Sequence, residues 1–139
     1  MDVRDGDRQV SVGHDDIDAE HRVQIGLIDA LEKAVRGGRS GREVDELLER
    51  VLDYSRVHFL SEQLLMRHHA YSGYEDHVQD HDRMVSALEE LRAAHEEGKT
   101  AYGLDIIRRV RADLIAHIQG RDNELGRYLS DIAAQAEPE

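Results

Sequence analysis

Histidines and carboxylates stand in this chain at spacings that an α-helix turns into shared faces. His77 and His81 are four residues apart, and so are His58 and Glu62. A four-residue step is about 400° of helical rotation, so the members of each pair leave one side of their helix a turn apart. Two imidazoles, or an imidazole and a carboxylate, in that relation can chelate a metal ion. His21 and the pair His117/Asp122 extend the set to five imidazoles and two carboxylates. Singly, each has an ordinary reading. His21 would be a hydrogen-bonded histidine at the core boundary. His58/Glu62 would be a wet-edge helix pair worth tenths of a kcal/mol. His77/His81 would be coincidence in a chain with nine histidines. The elements that carry them decide.

Residues 1–16 are polar and rich in Gly and Asp, and read as an irregular arm, with Asp16 or Asp18 as N-cap of a first helix. Its apolar stripe is Ile17, Ile25, Ile28, Leu31 and Val35, with His21 on the same line, and Gly37-Gly38 ends it. Ser40-Gly41-Arg42-Glu43 has the S-x-x-E form of a capping box. Behind it run Val44, Leu47, Leu48, Val51, Leu52, Ser55, Phe59, Leu65 and Met66, with His58 and Glu62 on the inner side, before a turn at Tyr71-Ser72-Gly73. A third helix is predicted from Tyr74 or Glu75 to about Glu97, lined by His77, His81, Met84 or Val85, Leu88 and Leu91. The fourth follows Thr100 to Gly103 with Leu104, Ile107, Val110, Leu114, His117, Ile118, Leu125 and Leu129. An acidic, frayed tail is expected from about residue 130 to 139.

Four helices of roughly 20–28 residues, each about 30–40 Å long, joined by short loops and each with one apolar stripe, predict an all-α fold. The architecture is an up-down-up-down antiparallel four-helix bundle with an irregular N-terminal arm, one domain over residues 1–139. The single proline, Pro138, leaves the helices uninterrupted. The absence of cysteine excludes disulfides, thiolate chemistry and Cys-type zinc sites, and suits a reducing cytoplasm. No apolar leader or spanning run is visible, so no membrane partner is expected. A formal net charge of −12 argues against nucleic acid as partner. A monomer is expected.

All four inner stripes carry histidine where apolar residues belong. Burying such groups is expensive unless something satisfies them together. In antiparallel helices, the start of the first and third and the later part of the second and fourth lie at one end. His21, His58/Glu62, His77/His81 and His117/Asp122 therefore collect at one level. Seven donors without a thiolate exceed a structural zinc site, and imidazole disfavours calcium and magnesium. A mixed nitrogen and oxygen set with carboxylates able to bridge suits a pair of first-row metals, iron being the leading choice. Two carboxylate bridges, five terminal nitrogens and one oxo or hydroxo bridge leave one open position on a six-coordinate pair. His117 to Asp122 is five residues, roughly 140° apart on a regular helix, so a π-type bulge near Gly120 is predicted.

With those residues assembled, the chain resembles the hemerythrins, in particular the bacterial single-domain form. Ile17-Asp18-Ala19-Glu20-His21 is similar to the family's first ligand segment, His58-Phe59-Leu60-Ser61-Glu62 to its H-F-x-x-E, His77/His81 to its H-x-x-x-H, and His117-Ile118 through Asp122 to its H-I-x-x-x-D. The resemblance implies two iron ions with an oxo or hydroxo bridge. His77, His81 and His117 would hold one iron, His21 and His58 the other, and Glu62 and Asp122 would bridge them. It implies reversible O₂ binding at the two-histidine iron, for carriage, storage or delivery to a protein recipient, in a dry pocket of Leu114, Phe59, Ile25 and Ile118 with no catalytic residue. Departures from the family lie around the pocket: there is no Trp, Asp113 precedes Leu114, and Gln63 stands where a second Glu is common. His14, His68, His69 and His95 match no ligand position; His14 is expected to be exposed. Two other classes remain open. A di-iron oxidase or peroxidase would be richer in carboxylate, and a sensor of O₂, NO or iron would act through a separate partner.

Overall fold

A computed structural model of the chain describes residues 12–136, without the side chains of residues 100–102 and 136. Among the described residues, five α-helices and one π turn form four rods. Helix α1 spans Asp15–Arg36, α2 Gly41–His68 and α3 Tyr74–Glu96. The fourth rod is α4, Thr100–His117, continued through a π turn at Ile118–Asp122 into α5, Asn123–Ala136. Each rod packs on its neighbours in sequence, and α1 closes on α4. The described residues contain no strand, so the fold is an all-α four-helix bundle as the periodicity predicts. No helix among the described residues is long and apolar enough to cross a membrane.

Local chemistry sets the ends. Ser40 Oγ accepts the Glu43 N–H at 3.2 Å, as the S-x-x-E motif predicts. Gly38 and Gly98 follow α1 and α3 with φ of +66° and +75°, the left-handed geometry that glycine adopts without a Cβ clash. At the start of α1 the cap is His14, whose Nδ1 accepts the Ile17 N–H at 3.3 Å, rather than Asp16 or Asp18. Asp18 is buried instead, and its Oδ1 accepts the Val12 N–H at 2.7 Å. That bond draws the end of the arm onto the bundle. Residues 1–11 of the expected arm lie outside the described residues. The tail is shorter than expected, because α5 stays helical to Ala136; residues 137–139 lie outside the described set.

The apolar core fills the end of the bundle away from the histidines, with Ile28, Leu31, Leu48, Leu52, Leu88, Leu91, Ile106 and Ile107 buried. Each such side chain contributes about 1.5–3 kcal/mol by leaving water. The stripes differ in detail from the expected ones. Gln24 and Ala34 take inner positions of α1, leaving Ile25 and Val35 half-buried, and Ile106 rather than Leu104 is fully buried in α4. Met84, not Val85, faces inward on α3. At the histidine end, Tyr128 Oη donates to the His69 carbonyl at 2.8 Å and ties α5 to the turn between α2 and α3.

Val12 also crosses α5 at Gly126, where an added Cβ would strike the Val12 carbonyl. Alanine is the better helix former by about 1 kcal/mol. Gly126→Ala is nevertheless expected to lower stability by about 1–3 kcal/mol, because the backbone of the arm must move. Urea unfolding measures it; a stabilised variant would show that the Val12 crossing does not form.

Candidate metal centre

The structure brings all seven residues together at one end of the bundle. His21 comes from the second turn of α1, His58 and Glu62 from α2, His77 and His81 from α3, His117 from the end of α4 and Asp122 from the π turn. The π turn spans Ile118–Asp122, around Gly120, and brings Asp122 onto the inner face with His117. All seven are buried, with His117 the most exposed at 6%.

The donors divide into two groups that share both carboxylates. His77 Nε2 and His81 Nε2 each lie 3.0 Å from Glu62 Oε1, and His77 and His117 Nε2 lie 2.9 and 3.0 Å from Asp122 Oδ1. On the other side His58 Nε2 is 2.9 Å from Glu62 Oε2, and His21 Nε2 is 2.9 Å from Asp122 Oδ2. Glu62 thus turns Oε1 to His77 and His81 and Oε2 to His58 and His21, while Asp122 turns Oδ1 to His77 and His117 and Oδ2 to His21. The atoms of each group, five donors in one and four in the other, lie within 4.8 Å of one another.

These short approaches are mostly not hydrogen bonds. His21 Nε2, His58 Nε2, His117 Nε2, Glu62 Oε2 and both Asp122 oxygens are buried without a hydrogen-bond partner. Lone pairs that converge without pointing at one another are what a shared cation requires. Neighbouring donors about 2.1 Å from one ion stand about 3 Å apart, the separation seen here. Each donor group therefore has the chemistry to hold a metal ion.

Outer partners orient the rings. Asp80 Oδ2 is 3.4 Å from His117 Nδ1 and accepts from Arg121 Nε at 3.3 Å. Gln63 meets His81 Nδ1 at 3.2 Å; with its oxygen turned to the ring it accepts Nδ1–H and leaves Nε2 free for a metal. Glu20 Oε2 is 3.5 Å from His58 Nδ1. Phe59 stacks on His81 with ring centres 4.1 Å apart. Leu114, Ile118 and Phe59 are fully buried and Ile25 half-buried. Sequence reading missed Asp80, Glu20 and the buried Gln24–Ser55 pair. Asp80 lies between two ligand candidates and Glu20 beside a third, so proximity in sequence was the available signal. His14, expected to be exposed, is a half-buried cap.

Electrostatics follows from the crowding. Burial disfavours charge on His21 and His77, yet the adjacent Asp122 and Glu62 carboxylates override it and raise both from 6.5 to about 9. His81 is lowered, burial being the main cause. Burial would raise Glu62, but His21, His58, His77 and His81 around it hold it well below the ordinary carboxylate range. Asp122 is lowered likewise, against burial and the Glu62 charge, by His117, His21 and His77.

A helical bundle that buries two histidine groups around shared carboxylates has the arrangement of a cation-binding bundle. The chain belongs to the hemerythrin family: residues 12–129 match the family described as the hemerythrin HHE cation binding domain. It is 30% identical to the bacteriohemerythrin of Methylococcus capsulatus (strain Bath) over 114 residues, 81% of this chain and 86% of that relative. No solved structure matches it.

Protons and metal compete for the same nitrogens. In a metal-free chain, His21 and His77 contribute stability that is full below about pH 6.5 and lost as pH rises through about 9. Glu62 and Asp122, both lowered, contribute stability that is lost only on acidification. A metal instead binds neutral imidazoles and tightens as those protons leave. Calorimetry from pH 6.5 to 9.5 is expected to show the melting temperature of chelator-stripped protein falling by about 5 °C or more while that of metal-loaded protein holds. A stripped chain that gained stability over this range would contradict the charge assignment.

Proposed function

We propose that this chain is a non-haem di-iron protein that binds O₂ reversibly, for oxygen carriage, storage or delivery, and is not an enzyme. The observation that carries the reading is the unequal pair of donor groups, five and four, sharing both oxygens of Glu62 and Asp122. His77, His81 and His117 with the two carboxylates would hold one iron, and His21 and His58 with the same carboxylates the other. The group with one donor fewer leaves room for an exogenous ligand. Two irons held there would supply the two electrons that reversible uptake of O₂ needs. Five imidazoles to two carboxylates favour that reversibility over the oxidising chemistry of carboxylate-rich sites.

The remaining work belongs to the chain. Glu62 and Asp122 would set the spacing between the ions, and their low proton affinity keeps both oxygens of each available. Asp80 and Gln63 hold the outer nitrogens of His117 and His81, which aims the inner ones, and Glu20 lies 3.5 Å from that of His58. Leu114, Phe59, Ile118 and Ile25 wall the pocket with apolar surface, keeping out water and the protons that would make uptake irreversible.

The test is anaerobic reduction followed by air, with iron per chain measured alongside the visible spectrum. Two irons and a band that appears with O₂ and disappears on its removal are expected. One metal per chain, or zinc, would overturn the proposal, and steady turnover of peroxide would replace it with an oxidase or peroxidase. His77→Ala is expected to lose one iron. Leu114→Ala is expected to keep both and autoxidise roughly 10-fold faster, as water enters a pocket opened by several methyl groups. Unchanged autoxidation would remove Leu114 from the pocket.

A further inference from the structure

Beside the four-donor group the chain buries an amide that the bundle does not need. Gln24 is three residues after His21 on α1, and Ser55 three before His58 on the antiparallel α2. Both therefore lie one turn further into the bundle, next to the two histidines of that group. Gln24 Nε2 donates to Ser55 Oγ at 2.9 Å, and the two side chains are 2% and 0% exposed. The five-donor group lies across the bundle on α3 and the fourth rod.

The carboxamide is half used. Gln24 Oε1 is buried and accepts no hydrogen bond. A buried amide oxygen without a donor is unfavourable, and an aliphatic side chain of similar size would fill the same space without that penalty. Ser55 decides which end of the amide is free. A serine hydroxyl inside a helix can return its proton to the carbonyl one turn back, here Val51. Its oxygen then accepts from Nε2, and the carbonyl end of Gln24 is left unpaired.

We infer that Gln24 is the polar contact for a small exogenous ligand at the four-donor group. Its carbonyl oxygen accepts a hydrogen bond from a ligand that carries a proton, and so favours such ligands over bare anions. Ser55 is a positioning residue that keeps the oxygen, not the NH₂, turned to the ligand. The inference rests on the two-metal reading above and adds to it a selection rule among ligands, made by a group outside the metal shell.

Two probes separate the possibilities in the iron-loaded chain: azide, a bare anion, and hydrogen peroxide, which brings its own O–H. In Gln24→Leu, azide no longer meets a carbonyl lone pair and is expected to bind about 5-fold more tightly, while the complex formed with hydrogen peroxide decays about 5-fold faster, changes of the size one hydrogen bond makes. Gln24→Met, closer in length, is expected to give the same signs. Ser55→Ala frees the amide to turn its NH₂ toward the ligand. Azide is then expected to bind more tightly than in the unaltered chain, with a shift in its antisymmetric infrared stretch that space-filling alone does not produce. Equal-signed changes for the two probes in Gln24→Leu, or azide affinity unchanged in Gln24→Leu and Ser55→Ala, would overturn the role of Gln24 with the di-iron reading intact. Fewer than two irons in the unaltered chain would remove that reading, and this inference with it.

Discussion

Two carboxylates buried with five imidazoles at the end of a helical bundle form the constraint on which the rest depends. Taking a carboxylate out of water is among the most unfavourable steps in folding, and two within one site repel each other as well. Glu62 and Asp122 are both 1% exposed and both remain ionised because imidazoles surround them. That arrangement is tolerable only while positive charge is present on the rings or between them. His21 and His77 meet the need with protons, and a bound cation would meet it as well while satisfying the converging nitrogens that are left without partners.

Holding such a cluster needs a scaffold that does not depend on it. The apolar end of the bundle, from Ile28 and Leu31 across to Ile106 and Ile107, supplies the folding energy at a distance from the polar end. Exposed ion pairs between neighbouring rods, such as Arg111 with Asp29 and Arg92 with Glu49, contribute at most about 1 kcal/mol each. Near the histidines the chain is fastened by specific contacts instead. Asp18 holds Val12, Val12 crosses Gly126, and Tyr128 holds the turn after α2. These bonds close the end of the bundle where the candidate centre lies.

Much of this was legible before any coordinates. The helical periods of α2 and α3 are long and regular enough that their inner faces were readable nearly residue by residue. The π turn was readable too, because His117 and Asp122 could share a face only if the helix widened between them. What escaped had a common cause: the residues were polar where apolarity was the guide. Ile25 was placed inward and Gln24 ignored, though steps of three and four residues from His21 both reach the core, and burial chose the amide. Asp18 was read as a cap, whereas its carboxylate turns to the Val12 N–H and leaves the cap to His14. The acidic, weakly apolar residues after Leu129 resemble a frayed end, yet α5 stays helical through them to Ala136.

The inequality of the two donor groups follows from which helix supplies what. Helix α3 places His77 and His81 a turn apart, and both reach the shared carboxylates. Helix α1 has only His21 at that level, since its next inward position is Gln24, whose amide engages Ser55 instead of the cluster. A second imidazole at position 24 would have brought the two groups to equal numbers of donors. An aliphatic residue there would have kept the groups unequal but brought no hydrogen-bonding capacity. Glutamine does neither. It keeps the smaller group at four donors and buries an amide oxygen without a partner one turn from His21, the feature on which the proposed selection among ligands rests.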